Sequence, residues 1–188
     1  MITTETATRL TYDLPMRRLY LVRFGFALLW AVVLVSSSPS VGPVLTTVLV
    51  VYPLFDAAAV LWQVRSHRGA QSSHLAERIN IAVSILVAVA VGWASTVSLS
   101  SALVVWGLWA VGSGIPQLLT AMRNRRSGGQ VFQMVSGGLS VVAGAGFVVQ
   151  GLNGADTITG IGGYAALGGI FFLISAVLMG NRPSATTW

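Results

Sequence analysis

The chain has 188 residues, 54% of them hydrophobic and only 9% charged, with a mean hydropathy of +0.77, where a soluble domain devotes about a quarter of its residues to charge. Its net charge of +6 comes from 11 basic residues, all of them Arg, against 5 acidic ones, and it has no Cys and no Lys. That composition describes an integral membrane protein and excludes disulfides, Cys-ligated metals, thiol catalysis, a lysine-bearing phosphate loop and a lysine Schiff base.

Residues 1–17 are polar and include Glu5, Arg9 and Asp13. They do not resemble the short basic start of a signal peptide, and no small-residue cleavage pattern follows, so we expect a retained cytoplasmic segment. The first apolar run, "LYLVRFGFALLWAVVLVSS", begins near Leu19 behind Arg17 and Arg18 and carries Arg23. The second covers about 44–64 and holds "YPLFDAAAVLW", in which Asp56 is the only acidic residue within any apolar run. Pro53, one turn before it, removes a backbone donor, so we expect a bend and a freed Leu49 carbonyl beside Asp56.

The loop "RSHRGAQSSHLAER" contains both histidines, His67 and His74, seven positions apart with a lone Glu77. Helical metal pairs are spaced i, i+4, so a solvated loop is the expectation and no metal or cofactor is predicted. The third run, about 79–96, begins with Asn80; the fourth, about 102–122, contains "VGSGIPQ" with Ser113, Pro116 and Gln117. Pro116 predicts a second bend. Ser113 between glycines resembles the nucleophile region of an intramembrane protease, but no span supplies the His that such a dyad requires. The fifth run, about 131–152, carries Gln133, Gly138, Gly144 and Gly146, and the sixth, about 158–180, carries Gly162, Gly163, Gly168 and Gly169. These glycines are expected to let helices pack closely. A tail, 183–188, follows.

Six runs of about 20 residues each suffice to cross a bilayer as helices. Their continuous apolarity excludes a β-barrel, whose strands alternate. Arg lies before the first span, in the second and fourth loops and after the sixth, whereas "SSSPSVGP", "STVSLSS" and "GLNGADTITG" have none. The excess of Arg places both termini in the cytoplasm. The same distribution makes loop charge a matter of membrane orientation, and no nucleic-acid partner is expected.

"VLVVYPLFDAAAVLWQVRSHR", "ALVVWGLWAVGSGIPQLLTAMR" and "GIGGYAALGGIFFLISAVLMGNR" can be superposed so that Tyr52, Trp106 and Tyr164 coincide, followed by small residues and an Arg-bearing end. This divides the six-span domain, 18–182, into three two-helix repeats, about 18–66, 78–126 and 131–182. Repeats with an even number of spans share one orientation and are related by an axis along the membrane normal. With "FGFALLW", "VSGGLSVVAGAGFVV" and the small-residue-rich second helix of each repeat, the chain resembles the HdeD-like acid-resistance membrane proteins. The resemblance implies a non-enzymatic bacterial inner-membrane protein associated with acid or envelope stress, and brings no catalytic residues with it.

The polar residues inside the spans are the candidate site. Arg23 lies about 7.5 Å past Arg18 and Asp56 about 13.5 Å before Arg65 by the helical rise, so an Arg side chain can bridge the difference. Asn80, Gln117 and Gln133 lie in the same half. Two roles are open: an ion pair that fixes helix register, or a proton- or solute-responsive site of a small transporter or channel. Membrane lipids are the expected surroundings, the small-residue faces leave a homo-oligomer open, and no substrate is indicated.

Overall fold

The computed structural model describes residues 4–37, 41–66, 75–123 and 130–180, and all of its regular structure is helical. Six helices follow one another: α1 Thr4–Ser36, α2 Pro43–Ser66, α3 Leu75–Val97, α4 Leu99–Arg123, α5 Gln130–Leu152 and α6 Gly160–Gly180. Each contains a stretch long and apolar enough to cross a bilayer. The chain is a multipass, all-α membrane protein. His67, His74, Arg68, Arg125, Arg126, Arg182 and the tail 183–188 lie outside the described residues.

The expected spans and the helices agree closely except at α1. This helix starts at Thr4, about four turns before the apolar run at Leu19, and continues through Pro15. Met16 and Leu19 are buried against Ala59, with Phe55 packed beside them, so the turn that leads into the apolar run has a partner on α2. Helices α2 and α4 likewise run on through Pro53 and Pro116.

Local chemistry sets the tight connections. Between α3 and α4 stands Ser98, whose Oγ accepts from the Ser101 amide (3.0 Å) and so caps α4. After α5, Gly154 takes φ 77°, while the amide of Ala155 donates to the Gln150 carbonyl (3.1 Å) and that of Gly154 to Gly151 (3.2 Å). This is the helix-ending arrangement that a left-handed glycine permits.

The helices close into a ring in chain order, with α6 against α1. The tightest seams are α4–α5, α6–α1 and α2–α3; the helices joined by the α1–α2, α3–α4 and α5–α6 connections touch far less, α5–α6 least. Glycine explains the tightest seam. A Cβ on Gly107 would sit 2.5 Å from the Gly144 carbonyl oxygen, one on Gly114 2.8 Å from that of Gly137, and one on Gly151 2.6 Å from that of Ser100. In α6, a Cβ on Gly162 would meet the Val35 side chain at 2.8 Å and one on Gly169 would meet Ala27 at 3.2 Å, both on α1. The α2–α3 seam carries a hydroxyl pair, Thr46 Oγ1 and Ser95 Oγ, 2.8 Å apart.

The main core occupies one half of the bundle, the half bearing the α1–α2, α3–α4 and α5–α6 connections. Trp30, Leu34, Leu45, Leu49, Leu103, Trp106 and Ile161 are buried there in one cluster. Trp30 and Trp106 stack at 5.3 Å, and Tyr52 and Trp109 pack edgewise around Trp106. The other half, towards the termini, contains the polar groups.

Candidate functional site: a charged cavity wall

Arg23 on α1 and Asp56 on α2 form an ion pair, Nη1 to Oδ1 at 3.2 Å, with side chains only 13% and 22% exposed. The other carboxylate oxygen, Oδ2, accepts from Asn80 Nδ2 at 3.1 Å and Ser84 Oγ at 3.0 Å, both on α3. One carboxylate therefore ties three helices together. A charge at this depth is expensive unless paired and hydrogen-bonded; the carboxylate meets both conditions, whereas Arg23 is paired through Nη1 and its buried Nε has no partner among the described residues. The guanidinium also lies 5.1 Å from the centre of the Phe172 ring on α6, a cation–π arrangement. Phe26, three residues after Arg23, stacks on Phe55, the neighbour of Asp56, with ring centres 3.7 Å apart. This stack holds α1 and α2 in the register that the ion pair requires.

Beside the pair lies a cavity of about 510 Å³. Tyr52 and Asp56 face it from α2, Asn80 from α3, and Trp109 and Ser113 from α4. Its far wall is built by α5, including Ser136 and Ser140, and by α6, including Tyr164. Tyr164 Oη donates to Ser140 Oγ (3.0 Å), and Ser140 Oγ donates in turn to the Ser136 carbonyl (3.0 Å). A smaller pocket of about 60 Å³ continues towards the terminal end past Phe171, Phe172 and Ser136 to Gln133 and Ser175. In the opposite direction the lining runs past Tyr164 and the core residue Phe147 to Gly160, the first residue of α6, with Tyr52 and Trp109 on the α2 and α4 side.

Arg23, Asp56 and Asn80 are thus together, as their spacing along the spans suggests. Gln117 and Gln133 are not part of that group. They bond each other across α4 and α5, Nε2 to Oε1 at 2.9 Å, because the glycine seam brings these two helices close while α1 and α2 lie on the other side of the ring. Near Pro53 the Val48 carbonyl also accepts from Trp30 Nε1 at 2.6 Å, which ties α1 to α2.

The packing glycines need a correction as well. Gly144, Gly162 and Gly169 press on neighbouring helices, but a Cβ on Gly138, Gly163 or Gly168 would meet nothing within 4 Å, and one on Gly146 only the tip of Gln150 at 3.9 Å. Gly163 and Gly168 face the cavity, where the missing side chain leaves volume open. Sequence reasoning passed over Gly107, Gly114, Gly137 and Gly151, whose seven-residue spacing was the available signal, and Ser84, which shares a helix face with Asn80 four residues before it. Ser113 Oγ donates to the carbonyl of Ala110 (3.1 Å), within its own helix.

Comparison of the chain with known protein families, with curated proteins and with solved structures finds no match.

Proposed function

We propose that the chain is a non-enzymatic multipass protein of the bacterial inner membrane that handles protons or a small solute at the cavity walled by Asp56. The observation that carries this is the position of Asp56: its carboxylate is bound to Arg23 on one side and lines a cavity of about 510 Å³ on the other, a volume within the usual range of small-molecule sites. An ion pair serving register alone needs no adjoining space.

The further organisation belongs to the same proposal. Three parallel two-helix repeats are supported by the alternation of tight and loose seams round the ring, and by Tyr52, Trp106 and Tyr164, which all lie in or against a single core cluster. The Arg distribution supports cytoplasmic termini. A second role, association with acid or envelope stress as in HdeD-like proteins, rests on the resemblance in sequence together with a titratable carboxylate on the cavity; a deletion strain that survives acid as well as its parent would count against it.

Reconstitution in liposomes with an enclosed pH-sensitive dye tests the principal proposal. Wild-type protein is expected to discharge an imposed pH gradient, and Asp56→Asn, assayed below its lowered melting temperature where its helical signal persists, to lose that ability. Wild-type vesicles as tight as empty ones would refute proton handling at this site.

A further inference from the structure

The α5–α6 seam is the loosest in the ring, and the cavity runs along it. Leu139 on α5 and Leu167 on α6 line the cavity and are still 42% and 51% exposed, so the mouth lies between two spans and opens on the acyl chains of a bilayer. Gly163 and Gly168 keep the α6 side empty, whereas their immediate neighbours Gly162 and Gly169 press on α1.

The interior has a definite chemical character. Tyr52, Trp109, Phe147, Tyr164, Phe171 and Phe172 all line it, and aromatic surfaces of this kind accept a planar ring in offset or edge-on contact. The carboxylate is already met there, because Asp56 accepts from Arg23, Asn80 and Ser84. Donors are not. Tyr164 Oη has Ser140, but the Tyr52 hydroxyl and the Trp109 indole N–H, both on the cavity lining, make no hydrogen bond among the described residues. Donors that face the cavity in this way suit a ligand bearing acceptor oxygens.

We propose that the α5–α6 seam admits from the bilayer an uncharged amphiphile with a planar, carbonyl-bearing head group of the quinone type, whose oxygens accept from Tyr52 and Trp109. The proposal deepens the assignment of the cavity as the protein's solute site and rests on it.

Titration of the full chain in lipid nanodiscs with decylubiquinone, read by quenching of tryptophan fluorescence, is the test. Saturable quenching is expected. Gly163→Leu, which adds bulk to the cavity lining at a position where a Cβ meets no neighbour, should weaken it about tenfold or more, as overfilling a packed site does. Tyr52→Phe keeps the ring and should weaken binding by about 2- to 12-fold, the loss of one hydrogen bond; it serves as the test if Gly163→Leu does not fold. Gly25→Leu, also free of neighbours but off the cavity, should bind as wild type does. Quenching that does not saturate, equal binding by wild type, Gly163→Leu and Tyr52→Phe, saturable binding of the lipophilic cation tetraphenylphosphonium in place of decylubiquinone, or a dimer in the nanodisc with its α5–α6 faces mutually covered would each overturn it. Binding without proton flux leaves this inference standing and removes the proton-handling role; flux without binding does the reverse.

Discussion

At the scale of single residues, the controlling fact is that Asp56 has four tasks and two oxygens. It neutralises Arg23, orients Asn80, satisfies Ser84 and presents an edge to the cavity. Removing one member of a buried pair strands the other, and such losses run to about 3–5 kcal/mol where the pair is dry. Asp56→Asn and Arg23→Gln should therefore each lower thermal stability strongly, while the combined variant should recover much of the loss; the coupling measured in that cycle reports the pair directly. Small, additive effects would mean that the two side chains do not support one another. The pair was legible in the sequence because formal charge inside an apolar span is rare and helical rise fixes its depth. Ser84 was not, since a lone Ser in a span has many uses, and only the fold shows that its hydroxyl reaches a carboxylate on another helix.

At the scale of elements, backbone proximity decides which helices pair. Gly107 faces Gly144 and Gly114 faces Gly137 across antiparallel α4 and α5, so the seven-residue spacing on each helix repeats the same close approach two turns later. Apolar side chains have no hydrophobic reason to leave lipid for one another, and close packing at small residues takes over. Alanine in place of two α5 glycines should then act in opposite senses. Gly144→Ala forces its methyl against the backbone of α4, the nearest atom being the Gly107 carbonyl oxygen at 2.7 Å, and should destabilise by about 1–3 kcal/mol. Gly138→Ala meets nothing and should gain up to about 1 kcal/mol of helix propensity. Thermal unfolding in one detergent compares them, and equal effects would show that the seam does not depend on Gly144. The six spans themselves were readable from apolar run lengths to within a few residues, apart from α1, which starts at Thr4 in a stretch too polar to announce a span. Which glycines pack was not readable from their number, because a glycine on a helix looks the same whether it meets a carbonyl or an empty space.

At the scale of the whole molecule, the ring is unequal in two directions. One half is filled by the aromatic and aliphatic core, and the other carries the ion pair and the cavity; one seam, α5–α6, is loose while the opposite side is closed. Neither inequality has a signature in composition, because a cavity is made by what side chains leave empty. The proposed topology has its own check, made simple by a chain without Cys. Single cysteines placed in "STVSLSS" should react with an impermeant thiol reagent in intact cells, and those placed in "RNRRSGG" should react only after lysis; the reverse pattern would invert the orientation inferred from Arg. If the cavity beside Asp56 is where the protein works, Gly163 offers the most direct test, since it lines the cavity and a Cβ there meets no neighbouring atom. Discharge of an imposed pH gradient should be measured side by side in liposomes carrying wild-type and Gly163→Leu protein of equal thermal stability. The account predicts that the variant loses the flux with its fold intact, and undiminished flux through a filled cavity would contradict it.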